Sequence, residues 1–194
     1  MKRYIITGTP SGGKTAILLE LEARGYAVVP ETATDVIARR QARGEPWDGP
    51  GFLDDIVTLQ RRRQDAPVPP GVTVQIFDRS PVCTLALAWY TGQPVSDALA
   101  GEVDRIMRAG VYERRVFFVR PIGFVTATAA RRITYEQSLD FERVHEDAYR
   151  SGGFSVVEVP AGTVAERAVA IDRLIRSLGG RTGCQTLVRH WPDD

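Results

Sequence analysis

Arg3-Tyr4-Ile5-Ile6-Thr7-Gly8-Thr9-Pro10-Ser11-Gly12-Gly13-Lys14-Thr15 is the stretch on which the reading of this chain turns. Tyr4-Ile5-Ile6 is a short apolar run that predicts a buried strand. It stops at Gly8, and Gly8 to Thr15 fits G-x-x-x-x-G-K-[ST]. Ala16-Ile17-Leu18-Leu19-Glu20-Leu21 then reads as a helix. Strand, glycine loop and helix in that order describe a phosphate-binding loop, whose backbone N–H groups surround polyphosphate oxygens while the helix adds its positive dipole end. Gly8, Ser11, Gly12, Gly13, Lys14, Thr15 and Ala16 are the expected nucleotide-binding residues. Lys14 is placed to reach the β- and γ-phosphates, and the Thr15 hydroxyl to ligate Mg²⁺. Composition sharpens the point. Of 25 basic residues only Lys2 and Lys14 are lysine, so one of two compact ammonium groups falls where the loop needs one rather than a planar guanidinium.

The whole chain bounds the answer further. At 194 residues, 43% hydrophobic and 25% charged, it suits one globular domain with a sizeable core. No apolar run approaches membrane-spanning length, and the first apolar run is too short for a signal-peptide core. A net charge of +1 gives no general pull toward nucleic acid or membrane surfaces. Cys83 and Cys184 are too few and too far apart for a disulfide framework. Cys83 reads as a small buried hydrophobe in an apolar helix. The expectation is a cytoplasmic protein whose partner is a small molecule, without nucleic acid or membrane; a monomer and an oligomer are both compatible with the sequence.

Strands alternate with helices along the chain, the sign of a parallel sheet covered on both faces. After the first helix, with Gly25 just past its end, come a strand at 26–29, helices at 33–43 and 52–64, and a strand at 72–77. Helices from Pro81 and from about Ser96 precede a strand at 115–119. An irregular segment from Ile122 to Thr134 leads into a helix at 135–150, a strand at 155–159 and a helix at 163–178 with Val164, Ala168, Ile171 and Ile175 inward. Five strands with right-handed crossovers predict an α/β, three-layer P-loop NTPase fold with a five-stranded parallel sheet. Residues 1–178 form the expected domain, with a lid at about 122–135 and a polar tail at 179–194.

Ligands of such sheets sit at the carboxyl ends of the strands. Glu31 follows the second strand, Asp78 and Arg79 the third, and Arg120, Arg131 and Arg132 the fourth. Asp78 ends the apolar run Val72 to Phe77, the form of a magnesium-holding acid, with helix capping before Ser80-Pro81 as the alternative. Glu31 is a candidate general base, with an acid at a helix N-terminus as the alternative. Arg79 either contacts phosphate or substrate, or pairs with a neighbouring acid. Arg131 and Arg132 are placed to stabilise a transferring phosphoryl group, with a solvated basic pair as the alternative. Arg61-Arg62-Arg63 reads as a solvated helix face, Arg120 as structural, and His145 as a surface or core-edge residue without metal-ligand spacing to His190. For Trp47 and Trp89, core packing is favoured over pocket lining.

These residues resemble a family. Gly8 to Thr15, Val28-Val29-Pro30-Glu31, Phe77-Asp78-Arg79-Ser80 and Val156-Val157-Glu158-Val159-Pro160 are similar to the small single-domain AAA-labelled ATPases related to the NadR ribosylnicotinamide kinase domain, over about residues 1–178. Asp78-Arg79-Ser80 also resembles the [DE]-R-S/Y element of deoxynucleoside and thymidylate kinases. The resemblance implies strand order 2-3-1-4-5, Glu31 as base and lid arginines in the 131–132 region. It carries no sensor or arginine-finger architecture of ring-forming machines. The function read from the sequence is ATP- and Mg²⁺-dependent transfer of the γ-phosphate to a hydroxyl of a small molecule, nucleoside-like or a secondary metabolite. The alternative is a regulatory ATP- or GTP-binding ATPase that switches a protein partner. The chain has no lysine after Lys14, so it lacks the N/TKxD element of Ras-like GTPases.

Overall fold

The structure, a computed structural model, describes residues 1–8, 12–122 and 135–179. Its elements are β1 (Lys2–Gly8), α1 (Lys14–Ala23), β2 (Ala27–Val29), α2 (Ala33–Ala42), α3 (Phe52–Asp65), β3 (Val74–Asp78), α4 (Pro81–Thr91), α5 (Asp97–Arg108), β4 (Arg115–Val119), α6 (Tyr135–Ser151), β5 (Ser155–Val159) and α7 (Val164–Ser177). The strands lie in the order β2-β3-β1-β4-β5 and every pairing is parallel. The expected three-layer α/β fold and its strand order are therefore present.

Side chains alternate across each strand, and the two faces receive different helices. Tyr4, Ile6, Ile76, Phe117 and Val119 pack with Ile17 and Leu21 of α1 and Ala168, Ile171 and Ile175 of α7. Ile5, Phe77 and Val116 face the other way, against Val82 and Ala86 of α4, Ile106 of α5 and Phe141, Ala148 and Tyr149 of α6. A third cluster joins α2, α3, α4 and α5 through Val36, Phe52, Ile56, Ala88 and Leu99. That last cluster stands beyond the sheet and shapes the site described below.

The register brings the functional strand ends to one edge. Ile6 lies opposite Asp78, Val29 opposite Phe77 and Gly8 opposite Val119. Gly8 has φ of 130°, and a Cβ there would sit 2.2 Å from the Val119 carbonyl oxygen. The first glycine of the loop is thus demanded by close approach of β4 as well as by the turn.

Boundaries differ from the sequence reading where ladder or turn bonds decide them. β1 extends to Lys2 and Gly8 because both ends pair with neighbouring strands. β3 starts at Val74 rather than 72, since the Val72 N–H closes a turn onto the Pro69 carbonyl at 3.3 Å. Val164, expected inward, is 39% exposed, and Arg167 takes a buried place on α7 instead. Trp89 is 47% exposed rather than packed in the core. The segment proposed as a lid lies outside the described residues except for its ends, as does the tail beyond Gly179.

Candidate active site

The first turn of α1 opens the site. Its N-cap Gly13 is in the left-handed region and supplies no side-chain cap. With no side-chain cap, the helix N-terminus presents its positive dipole end to an anion. Lys14 is buried, and its Nζ donates to the Gly8 carbonyl at 3.1 Å, folding the ammonium back across the loop. Thr15 and Ala16 are exposed at the mouth of the cavity that Lys14 also lines. Ser11 lies outside the described residues.

At the end of β3 the sequence left two roles open for Asp78. Ser80 is the N-cap of α4: its Oγ accepts from the Val82 N–H at 3.3 Å, and Pro81 occupies the first turn. Capping is therefore done by Ser80, and Asp78, 8% exposed, faces the same cavity as Thr15. A hydroxyl and a carboxylate are hard oxygen donors. They fit Mg²⁺, which takes one or two protein ligands and keeps its other positions for phosphate and water. Among the described residues no group of three or more His, Cys, Asp or Glu could hold a metal, and magnesium held in this way requires none.

Arg79 adopts φ of 71°, a conformation that costs a side-chain-bearing residue about 1 kcal/mol or more. Its N–H donates to the Ile6 carbonyl at 2.9 Å, which fixes the bend. The bend aims its guanidinium at Glu31: Nε donates to Oε1 at 2.5 Å. Thr34 Oγ1 donates to the other Glu31 oxygen at 3.1 Å. Burial alone would raise the Glu31 carboxyl, but Arg79 and then Lys14 outweigh it and hold the group below the usual carboxylate range. Arg79 is correspondingly pushed up: burial works against its charge, and Glu31 foremost overcomes it. The acid-pair alternative for Arg79 is what the structure contains, and it places Arg79 beside the candidate base.

One cavity of about 690 Å³ joins these groups to an apolar chamber. The phosphate loop, Glu31, Asp78 and Arg79 form one end. Ile37 of α2, Trp47, Phe52 and Ile56 of α3, Leu87 and Tyr90 of α4, and Phe141 of α6 wall the other, with Gln60, Thr84, Thr91 and Gln137 as polar points. Trp47 lines this chamber and packs edge-on against Phe52 at 5.7 Å. Cavities of this size and lining accept small molecules.

The remaining arginines divide. Arg120 pairs with Glu142, Glu146 and Glu158 at 2.6–2.8 Å, a structural role. Arg61 pairs with Asp65 and Glu102. Arg63 donates to the carbonyls of Pro30 and Glu31 and pairs with Asp35, so it supports the loop that carries Glu31 rather than a solvated face. Arg131 and Arg132 lie outside the described residues.

Two features escaped the sequence reading. Arg167, 4% exposed, donates to the Gly12 carbonyl at 2.8 Å and the Arg120 carbonyl at 2.9 Å. It ties the phosphate loop to the end of β4, and burial lowers its affinity for its proton. His145 is fully buried, not at the edge. Its Nε2 meets Thr7 Oγ1 at 3.1 Å, Thr7 meets Cys83 Sγ at 3.3 Å, Cys83 meets Tyr149 OH at 2.9 Å, and Tyr149 meets Ser80 Oγ at 2.8 Å. Burial, then the charges of Arg79 and Lys14, push His145 well down, so it is a neutral imidazole. Cys83 is buried as expected but takes part in this polar chain. The signal for His145 was the spacing of Phe141, His145 and Tyr149, which stack along one face of α6.

The model of the family described as AAA domain matches residues 3–167. No curated protein matches the chain. Among solved structures, a deoxyadenosine kinase from M. mycoides with bound dCTP is 14% identical with a TM-score of 0.58, covering 91% of this chain and 100% of that one. A shikimate kinase from Acinetobacter baumannii in complex with shikimate is 13% identical at TM-score 0.57, covering 92% and 94%. A thymidylate kinase from Candida albicans is 10% identical at TM-score 0.53, covering 92% of each chain. At such identities the likeness concerns the fold, which is that of small P-loop kinases.

Proposed function

The chain belongs to the AAA-domain family, and from that premise we propose that it is an ATP- and Mg²⁺-dependent phosphotransferase acting on a hydroxyl of a small molecule. The observation that carries this is the continuity of the cavity from the phosphate loop, Glu31 and Asp78 to a walled apolar chamber. A regulatory nucleotide switch uses the loop and Asp78 but has no need of such a chamber.

In the proposed reaction Lys14 and the loop N–H groups hold the β- and γ-phosphates. Thr15 and Asp78 would hold Mg²⁺, whose charge would offset that of the phosphates. Glu31 accepts the proton of the acceptor hydroxyl as its oxygen bonds to the γ-phosphorus and the bond to the β–γ bridging oxygen breaks, releasing ADP. Arg79 holds Glu31 ionised and in place, and Arg131 or Arg132 is assigned to the transferring phosphoryl group. The kinases named above support the reading through a shared fold, and the acceptor is proposed as nucleoside-like or a secondary metabolite. No described helix is long and apolar enough to cross a membrane.

The test is to incubate the full chain with Mg-ATP and a metabolite panel, following ADP release and phosphorylated products. Acceptor-dependent ADP release with a matching phosphorylated product supports the proposal. Turnover that ignores every acceptor and yields only inorganic phosphate overturns it in favour of the ATPase switch.

A further inference from the structure

The chain writes positive charge freely as arginine, and the helices that cover the acceptor chamber are rich in it. Arg39 and Arg40 lie on α2, and Arg61, Arg62 and Arg63 on α3. None of them is among the described residues that line the chamber. Three of them are paired elsewhere. Arg40 pairs with Asp55 and donates to the carbonyls of Pro46, Gly49 and Pro50. Arg61 and Arg63 are held by the acids already described. Arg39 and Arg62 line a separate cleft of about 210 Å³.

Among the described residues, the charged groups that line the main cavity are Lys14, Glu31, Asp78 and Arg79, two cations and two carboxylates, all at the phosphate end. Arg79 is already neutralised by Glu31 at 2.5 Å, and Lys14 is turned to the Gly8 carbonyl within the phosphate loop. The described residues of the chamber walls offer aromatic and aliphatic surface and uncharged hydrogen-bonding groups. A buried charge needs a partner of opposite sign or a set of hydrogen bonds built for it. A phosphate or carboxylate on the acceptor would find neither a guanidinium nor an ammonium among the described residues of the chamber walls.

We propose that the acceptor is an uncharged hydroxyl compound with a flat or apolar body, and that the chamber rejects acceptors carrying a phosphate or carboxylate. This rests on the proposed transfer reaction and narrows its substrate class. The body would lie among Trp47, Phe52, Tyr90 and Phe141, where ring faces and edges suit a planar partner. Gln60 accepts from Thr84 Oγ1 at 3.3 Å through its carbonyl oxygen, which leaves its amide N–H groups to orient a polar edge of that body.

The experiment uses the full chain saturated with Mg²⁺ and a non-hydrolysable ATP analogue. It is titrated calorimetrically with a library of matched pairs: nucleosides with their 5′-monophosphates, and aromatic alcohols with the corresponding carboxylates. The expected result is that at least one neutral member binds and that its charged partner binds about a hundredfold more weakly or not at all. A charged member that binds as tightly as its neutral partner, or a library in which no neutral member binds, overturns the proposal. The same pairs are then run with Mg-ATP. Binding of a neutral compound without phosphoryl transfer leaves the chamber's selectivity standing and removes the kinase reading, so the two failures are told apart.

Discussion

Replacing Glu31 by Gln tests the chemistry at its centre. The substitution keeps the shape and keeps an oxygen to accept from Arg79 Nε, now 2.5 Å from the carboxylate. It removes the negative charge and the capacity to take a proton. If Glu31 is the base, kcat falls by about 10²–10⁴, which is about 2.7–5.4 kcal/mol of transition-state stabilisation. The nucleotide KM should move by no more than about threefold, because the loop and Lys14 are untouched. Stability should also fall. The pair's side chains are 14% and 26% exposed, so replacing an ionic hydrogen bond by a neutral one costs about 1–2 kcal/mol after allowance for solvent.

The sign of the pH dependence follows from the lowered Glu31 pKa. A carboxyl depressed in the folded state contributes stability above its unfolded value, and that contribution is lost as pH falls through the folded value. The stability gap between the natural chain and Glu31→Gln should therefore be full at neutral pH and close below about pH 4.3, the ordinary glutamate value. Urea melts at a series of pH values read the gap, and coupled ADP release reads kcat. Turnover within threefold of the natural enzyme would remove Glu31 from the role of base, and a gap that persists unchanged in acid would refute the ionic account of the pair.

Other perturbations separate the remaining parts. Gly8→Ala forces a Cβ to within 2.2 Å of the Val119 carbonyl oxygen at φ of 130°, so urea denaturation should show a loss of about 3 kcal/mol or more; a loss under about 1 kcal/mol refutes the close-approach argument. Arg167→Met deletes both carbonyl contacts but also a buried cation, so stability should change little while the ATP KM rises about tenfold at nearly constant kcat; a fall in kcat at constant KM contradicts a loop-bracing role. Tyr149→Phe takes one hydrogen-bond partner each from Ser80 Oγ and Cys83 Sγ and should cost about 1 kcal/mol in thermal or urea melts, whereas an unchanged melt makes the network incidental. Chelation of Mg²⁺ should abolish turnover and readdition should restore it; turnover that survives chelation removes Thr15 and Asp78 from metal binding.

The sheet was legible because each strand is an apolar run closed by glycine, proline or charge, a signal written locally in the chain. The same is true of the loop, whose pattern carries its own chemistry from Gly8 to Thr15. Asp78 and Glu31 were found because they follow strands, but nothing local in the sequence shows that Ser80 caps α4 or that Arg79 pairs with Glu31. Arg167 stayed hidden because a charged residue on a helix is read as solvated, and only the backbone carbonyls of Gly12 and Arg120 make its burial tolerable. His145 stayed hidden for a related reason: the charged positions of α6 masked an aromatic stripe at four-residue spacing. Both are cases in which partners distant in sequence, not local pattern, decide burial.

The Arg167 brace bears on how the protein becomes competent as it is made. The loop it steadies is synthesised well before its strap, because the guanidinium arrives 155 positions later. The helix that carries it also completes one face of the core through Ala168, Ile171 and Ile175. A nascent chain with every earlier element already outside the ribosome would hold the full G-x-x-x-x-G-K-[ST] sequence but not the strap across its back. Any affinity of the loop for a nucleotide should thus emerge late during translation, when α7 docks.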